Sequence, residues 1–229
     1  GTLLIRASDA EAAKASFEAA LANNPGMLLA RKWLGILHLE SGDAEKAVGE
    51  LAQYLRRYPN DIDTAEVFAG ALARTGRFAE TLKVFNGILA RRNAEPKHYL
   101  GAMYATIRAG HPEAAAAMNP PPGAPFMGTF LKIAAQKEHG KPYSALVESL
   151  DLIEGDLDDE CTSFLNNLLY HFGDEEAGQW FVDQVRGLKA IGFASRTLEI
   201  IHGRLYMSMD RHADALPIFD GVLEKYNVD

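Results

Sequence analysis

Apolar or small residues recur along this chain at offsets of four, three and one, three times in the same order: Ala13, Phe17, Ala20, Leu21; Ala47, Leu51, Tyr54, Leu55; Thr81, Phe85, Ile88, Leu89. Such offsets place side chains on one face of an α-helix, and no segment alternates with the period of two that marks a strand. Gly42, Gly76 and Gly110 each close one apolar helical stretch and open another, in two steps of 34 residues. The register runs backwards too: Ser8-Asp9-Ala10-Glu11 stands over Gly42-Asp43-Ala44-Glu45, and Pro25 over Pro59. A fixed spacing of this size is the sequence signature of a stacked repeat array. The fold class expected is therefore all-α.

These residues resemble the tetratricopeptide repeat family, whose unit of 34 residues is a helix, a short turn and a second, antiparallel helix. Leu34-Gly35, Gly42, Ala47 and Pro59 stand where that pattern places them, and Phe68-Ala69, Gly76, Thr81 and Phe85 supply a second, looser unit with Asn93 in place of the proline. Trp33 departs from the pattern, since it precedes the Leu-Gly pair and faces elsewhere on its helix. Beyond Gly110 the rhythm continues through Gly140, Gly173 and Asp210 at steps of 30, 33 and 37. First helices are expected over 126–139, 158–172 and 192–209, and second helices over 144–154, 175–188 and 213–226. The resemblance implies a right-handed superhelix, an α-solenoid, in one array over residues 1–229: a half-unit 1–25, then units near 28–59, 62–95, 96–124 (degenerate), 125–155, 158–189 and 192–229.

Asn119-Pro120-Pro121-Pro122-Gly123 breaks this rhythm. Proline lacks the amide hydrogen and clashes with the preceding turn, so the helix opened by His111-Pro112 has to stop at or before Met118. The segment 119–125 reads either as a degenerate repeat or as a kink between residues 1–118 and 125–229. Pro217 is compatible with a helix starting near Ala213, where it falls in the first turn. The chain opens on Gly1-Thr2 and enters at once on Leu3-Leu4-Ile5, which reads as the tail of a preceding helix. We therefore expect a piece of a longer protein, with an open N-terminal end through which it self-associates.

Apolar residues make up 48% of the chain and charged residues 24%, as in ordinary globular domains. A net charge of −8 argues against nucleic acid as partner, because binding phosphates demands a basic footprint. No apolar run approaches 18 residues, the length of a membrane-spanning helix. The single cysteine, Cys161, excludes an internal disulfide. It lies ten residues from His171 on one expected helix, about 15 Å along the axis and off the same face, so the two do not pair as nucleophile and base. The seven histidines never fall four apart on one helix, and no His-Glu-x-x-His pattern or phosphate-binding glycine loop occurs. No catalytic residue, metal or cofactor is expected.

Function is then expected on the concave face that the first helices of such an array line. The register places Lys32, Trp33, Ile36, Leu39, Glu66, Tyr104, Arg108 and Phe130 in that groove, with the three aromatics as candidate anchors. Family members that hold a C-terminal carboxylate use a clamp of Lys, Asn and Arg. Here Lys32 occupies one clamp place, but Ile36, Val67 and Gly101 stand where polar residues are needed, so that ligand class is not expected. The resemblance implies a non-catalytic scaffold that binds a peptide or partner protein. Ala-rich and Arg-rich helices are similar to those of bacterial envelope, secretion and polysaccharide-export assemblies. The alternative is a regulatory repeat domain of a larger enzyme or signalling protein, holding a segment of its own chain.

Overall fold

A computed structural model describes residues 7–119, 125–141, 175–193 and 195–226. Among the described residues the regular structure is entirely helical. In chain order the helices are α1 (Ala7–Asn23), α2 (Leu28–Glu40), α3 (Ala44–Arg57), α4 (Ile62–Arg74), α5 (Phe78–Leu89), α6 (Pro96–Arg108), α7 (Pro112–Ala117), α8 (Pro125–Glu138), α9 (Glu175–Ala190), α10 (Arg196–Ser208) and α11 (His212–Tyr226). The helices expected over 144–154 and 158–172, Cys161, His171, Gly173 and most of the 119–125 break lie outside the described residues.

The 34-residue period has a local cause in the turn chemistry. Gly42, Gly76 and Gly110 all have positive φ, at 86°, 73° and 86°, a conformation that costs a residue with a Cβ but not glycine. Each is the residue after a helix end in a Schellman turn. The Gly42 amide donates to the Leu39 carbonyl and the Asp43 amide to the His38 carbonyl, and the same pair of bonds recurs at Gly76 and Gly110. Several helices start on a side-chain cap or a proline. Asp43 accepts from the Lys46 amide, Asp61 from the Thr64 amide and Ser195 from the Leu198 amide, while Pro96 and Pro112 sit where no amide is needed. α7 ends at Ala117, as the proline run requires. Pro217 is a correction: α11 starts at His212, so the proline falls beyond the first turn and removes an interior helix bond.

The chain divides into two compact units, residues 1–84 and 85–229. In the first, α1 packs on α2, α2 on α3 and α3 on α4. The core there gathers Leu39, Ala47, Val48, Leu51, Ala71 and Leu72, with Val67 and Phe68 packed against it. α2 and α3 cross closely at Gly35, where a Cβ would come within 2.7 Å of the Leu51 side chain. In the second unit α6, α7 and α8 pack on one another, and α10 packs on both α9 and α11. Its core includes Leu100, Met103, Tyr104, Phe130, Phe181, Val185, Ile201 and Leu205. Gly203 makes the corresponding crossing, with a Cβ position 2.6 Å from the Phe219 ring.

Candidate partner-binding surface

α2 carries the one expected anchor that reaches water. Successive helical residues are rotated by about 100°, so Trp33 and Leu34 point to different sides of the helix. Leu34 is buried, while Trp33 is 49% exposed and Leu29, one turn earlier, is 60% exposed. Lys32 and Ile36 flank this pair and are half-buried.

Lys32 has a different task from the one its register suggests. Its ammonium lies 2.8 Å from Asp61 Oδ2, and the same oxygen accepts from the Tyr54 hydroxyl and the Thr64 hydroxyl, each at 2.8 Å. One carboxylate thus joins α2, α3 and the start of α4. Burial opposes the charge on Asp61, but the bonds from Lys32, the Thr64 amide and Tyr54 outweigh it and hold the carboxyl well below the usual range. Burial first, then the hydrogen bond to Asp61, pushes the Tyr54 phenol up to about 12. Lys32 is therefore a structural cation, partly covered, and offers little to an incoming carboxylate.

The remaining expected groove residues separate from the Trp33 surface. Leu39 belongs to the core under α3 and α4, and Glu66 is buried on α4. In the second unit Tyr104 and Phe130 are both buried, because Phe181 of α9 stacks against each of them, with ring centroids 5.5 and 6.0 Å away. Trp180 meets Tyr104 edge-on at 5.6 Å. Arg108 donates to the Tyr104 hydroxyl and to Glu176 on α9. These three residues, expected to line an open face, are internal contacts of the second unit. The reason is long-range: α9 lies far along the chain, and nothing in the local pattern of α6 or α8 announces that it will cover them.

Sequence reasoning missed Leu29, although its spacing of four from Trp33 on an otherwise buried helix is the available signal. It also missed an acidic cleft of about 700 Å³ in the second unit, between the ends of α6 and α8 and the first turns of α9. Glu138, Glu175, Glu176 and Asp183 line it beside Trp180, and the lining cation, Arg108, is already engaged by Glu176. Among the described residues no three His, Cys, Asp or Glu side chains come together to hold a metal ion, and no helix is long and apolar enough to cross a membrane.

Residues 1–62 match the tetratricopeptide repeat family model. No curated protein matches the chain by sequence. Among solved structures, the chain is similar to a tetratricopeptide repeat protein from Parabacteroides merdae ATCC 43184, with a TM-score of 0.51 and 12% identity over 95% of this chain and 87% of that one. It also aligns with PilW, a widely conserved type IV pilus biogenesis factor, with a TM-score of 0.44 and 16% identity over 97% of this chain and 88% of that one. The family match falls on α1, α2 and α3, and the likeness to the Parabacteroides structure extends the same helical repeat fold over most of the rest of the chain.

Proposed function

We propose that the chain is a non-catalytic interaction scaffold whose first unit holds a peptide or partner protein on the Leu29–Trp33 face of α2. The observation that carries this reading is the exposure of Trp33 and Leu29 on a helix where Leu34, Leu37 and Leu39 are buried and Leu28 and Ile36 are half-buried. Two large apolar side chains one turn apart make a compact anchor, and aromatic anchors dominate interface energies. The match of residues 1–62 to the tetratricopeptide repeat model supports the class, since tetratricopeptide repeats bind proteins or peptides. The net charge of −8 favours a protein partner over nucleic acid. A bacterial envelope, secretion or polysaccharide-export assembly remains part of the proposal, and the identity of the captured protein tests it.

Affinity capture with the 229-residue chain, beside its Trp33→Ala, Leu29→Ala double variant and read by mass spectrometry, tests the surface. The expected result is a protein retained at least tenfold better by the unmodified chain, with circular dichroism and melting unchanged within about 0.5 kcal/mol. Equal retention by both would remove the α2 face from the function.

A further inference from the structure

The α10–α11 hairpin repeats the α2–α3 hairpin in register, with Asp210 at the place of Gly42 and Gly203 at that of Gly35. His202 then stands for Leu34, so a titratable ring fills a position that the first unit gives to an aliphatic core residue. Glu199, His202 and Tyr206 are spaced three and four apart and share one face of α10. That face is tied to α9 on both sides of His202: Lys189 pairs with Glu199 at 2.7 Å, and Arg186 donates to the Tyr206 hydroxyl at 2.6 Å. From the α11 side Arg211 lies over the Tyr206 ring at 4.6 Å. The charges that bear on the imidazole are Lys189 and Arg186 of α9 and Glu199 of its own helix, whose carboxylate is already engaged by Lys189. Neither ring nitrogen has a hydrogen-bond partner, which a neutral buried ring tolerates far better than an imidazolium. Once protonated, the ring needs an acceptor, and Glu199, three residues earlier on the same helix, is placed to supply it. That exchange removes the Lys189 bridge from the α9–α10 contact. The first unit is built differently: its buried histidine, His38, lies near the Asp43 carboxylate, which opposes the effect of burial.

We propose that the α9–α10 contact is an acid-released latch: protonation of His202 draws Glu199 away from Lys189 and frees the α10–α11 hairpin from α9, while residues 7–84 stay folded. Stacked helix pairs are held by contacts with their neighbours, so one weakened contact opens locally. Hydrogen exchange of the full chain, read by mass spectrometry at pH 7.5 and pH 5.0 and corrected for the intrinsic pH dependence of exchange, tests it. A ring that binds its proton near pH 6.5 when released and at about 4 when held makes the protection of α10 and α11 about thirtyfold lower at pH 5.0. Protection of α2, α3 and α4 is expected to change less than about threefold. His202→Leu should remove the acid loss in α10 and α11, and His202→Gln gives the same reading if the leucine variant does not fold. Lys189→Met frees Glu199 in advance to pair with His202 inside the packed hairpin, so the loss should shrink at least threefold. An acid loss that is absent, that survives removal of the His202 ring, that is undiminished in Lys189→Met, or that falls equally on α6–α9 or on α2–α4 would overturn the latch.

Discussion

The two hairpins α2–α3 and α10–α11 use one register and share few residues in it, which separates what the repeat requires from what it tolerates. Both need a glycine at the helix crossing, sixteen residues before the large side chain it touches, Leu51 in one and Phe219 in the other. Both need a small residue at the first turn of the second helix, Ala47 and Ala215. Elsewhere the second hairpin gives up local stability. His202 replaces Leu34 in the buried position before the crossing glycine, Asp210 replaces Gly42 at a positive φ of 56°, and Pro217 interrupts α11 where α3 has Gly49. The geometry of a crossing tolerates no side chain, whereas a turn or a core position accepts a poorer residue at a cost of a few kcal/mol.

The largest expected effect falls on what the hairpins share. Ala47→Asp and Ala215→Asp each bury an unpaired carboxylate at a close crossing, and each should cost about 4 kcal/mol or more, read as loss of the cooperative melt. If only one of the two unfolds its hairpin, the shared register is not the shared constraint.

His202 comes next. Its ring is buried, packs on Tyr206 at 5.0 Å and has neither nitrogen hydrogen-bonded. Burial, with Lys189 and Arg186 nearby and only Glu199 opposing, lowers it to about 4. The unfolded chain takes up a proton near pH 6.5 that the folded one refuses, so stability is complete above that pH and falls as the pH drops towards 4, by up to about 3 kcal/mol. Denaturant titrations at pH 7.5 and 4.5 should show this loss in the native chain, and His202→Leu, which restores the residue type of Leu34, should abolish it.

Asp61 gives the first unit an acid dependence in a lower range. Its depressed carboxyl stabilises the fold above about pH 4 and loses that contribution as the pH falls further. Asp61→Asn should cost about 2 kcal/mol at pH 7 and flatten the acid limb of urea unfolding below pH 4. An unchanged acid limb would mean that the Lys32–Asp61–Tyr54 junction is not what holds α2, α3 and α4 together.

The smallest effect sharpens the turn comparison. Asp210→Gly restores the residue that a left-handed helix end favours and should stabilise the second hairpin by about 0.5–1 kcal/mol, while Gly42→Asp should destabilise the first by a similar amount. Thermal melts of the two single variants measure both.

The 34-residue register is legible in the amino-acid sequence because its determinants lie within a few residues of one another. A Schellman glycine, a capping Asp and a stripe at offsets of three and four act over one or two helical turns, so Gly42, Asp43 and Leu51 announce their roles locally. Trp33 is legible for the same reason, since its neighbour Leu34 already claims the packing side. Tyr104 and Phe130 carry the same kind of local signal, and it points them to the open face. What decides otherwise is Phe181, more than fifty residues beyond Phe130, which fills the space between their rings.

Sequence alone thus determined the all-α class, the period, the turns and the faces that each hairpin turns inward, because these follow from backbone capping and from the rotation between successive residues of a helix. Tertiary structure alone decided which outward faces stay in water. Lys32 became a structural cation through Asp61, and Tyr104 and Phe130 were covered by α9. Exposure is a property of the neighbour that arrives, and a neighbour contributed from distant sequence leaves no mark on the local pattern it covers.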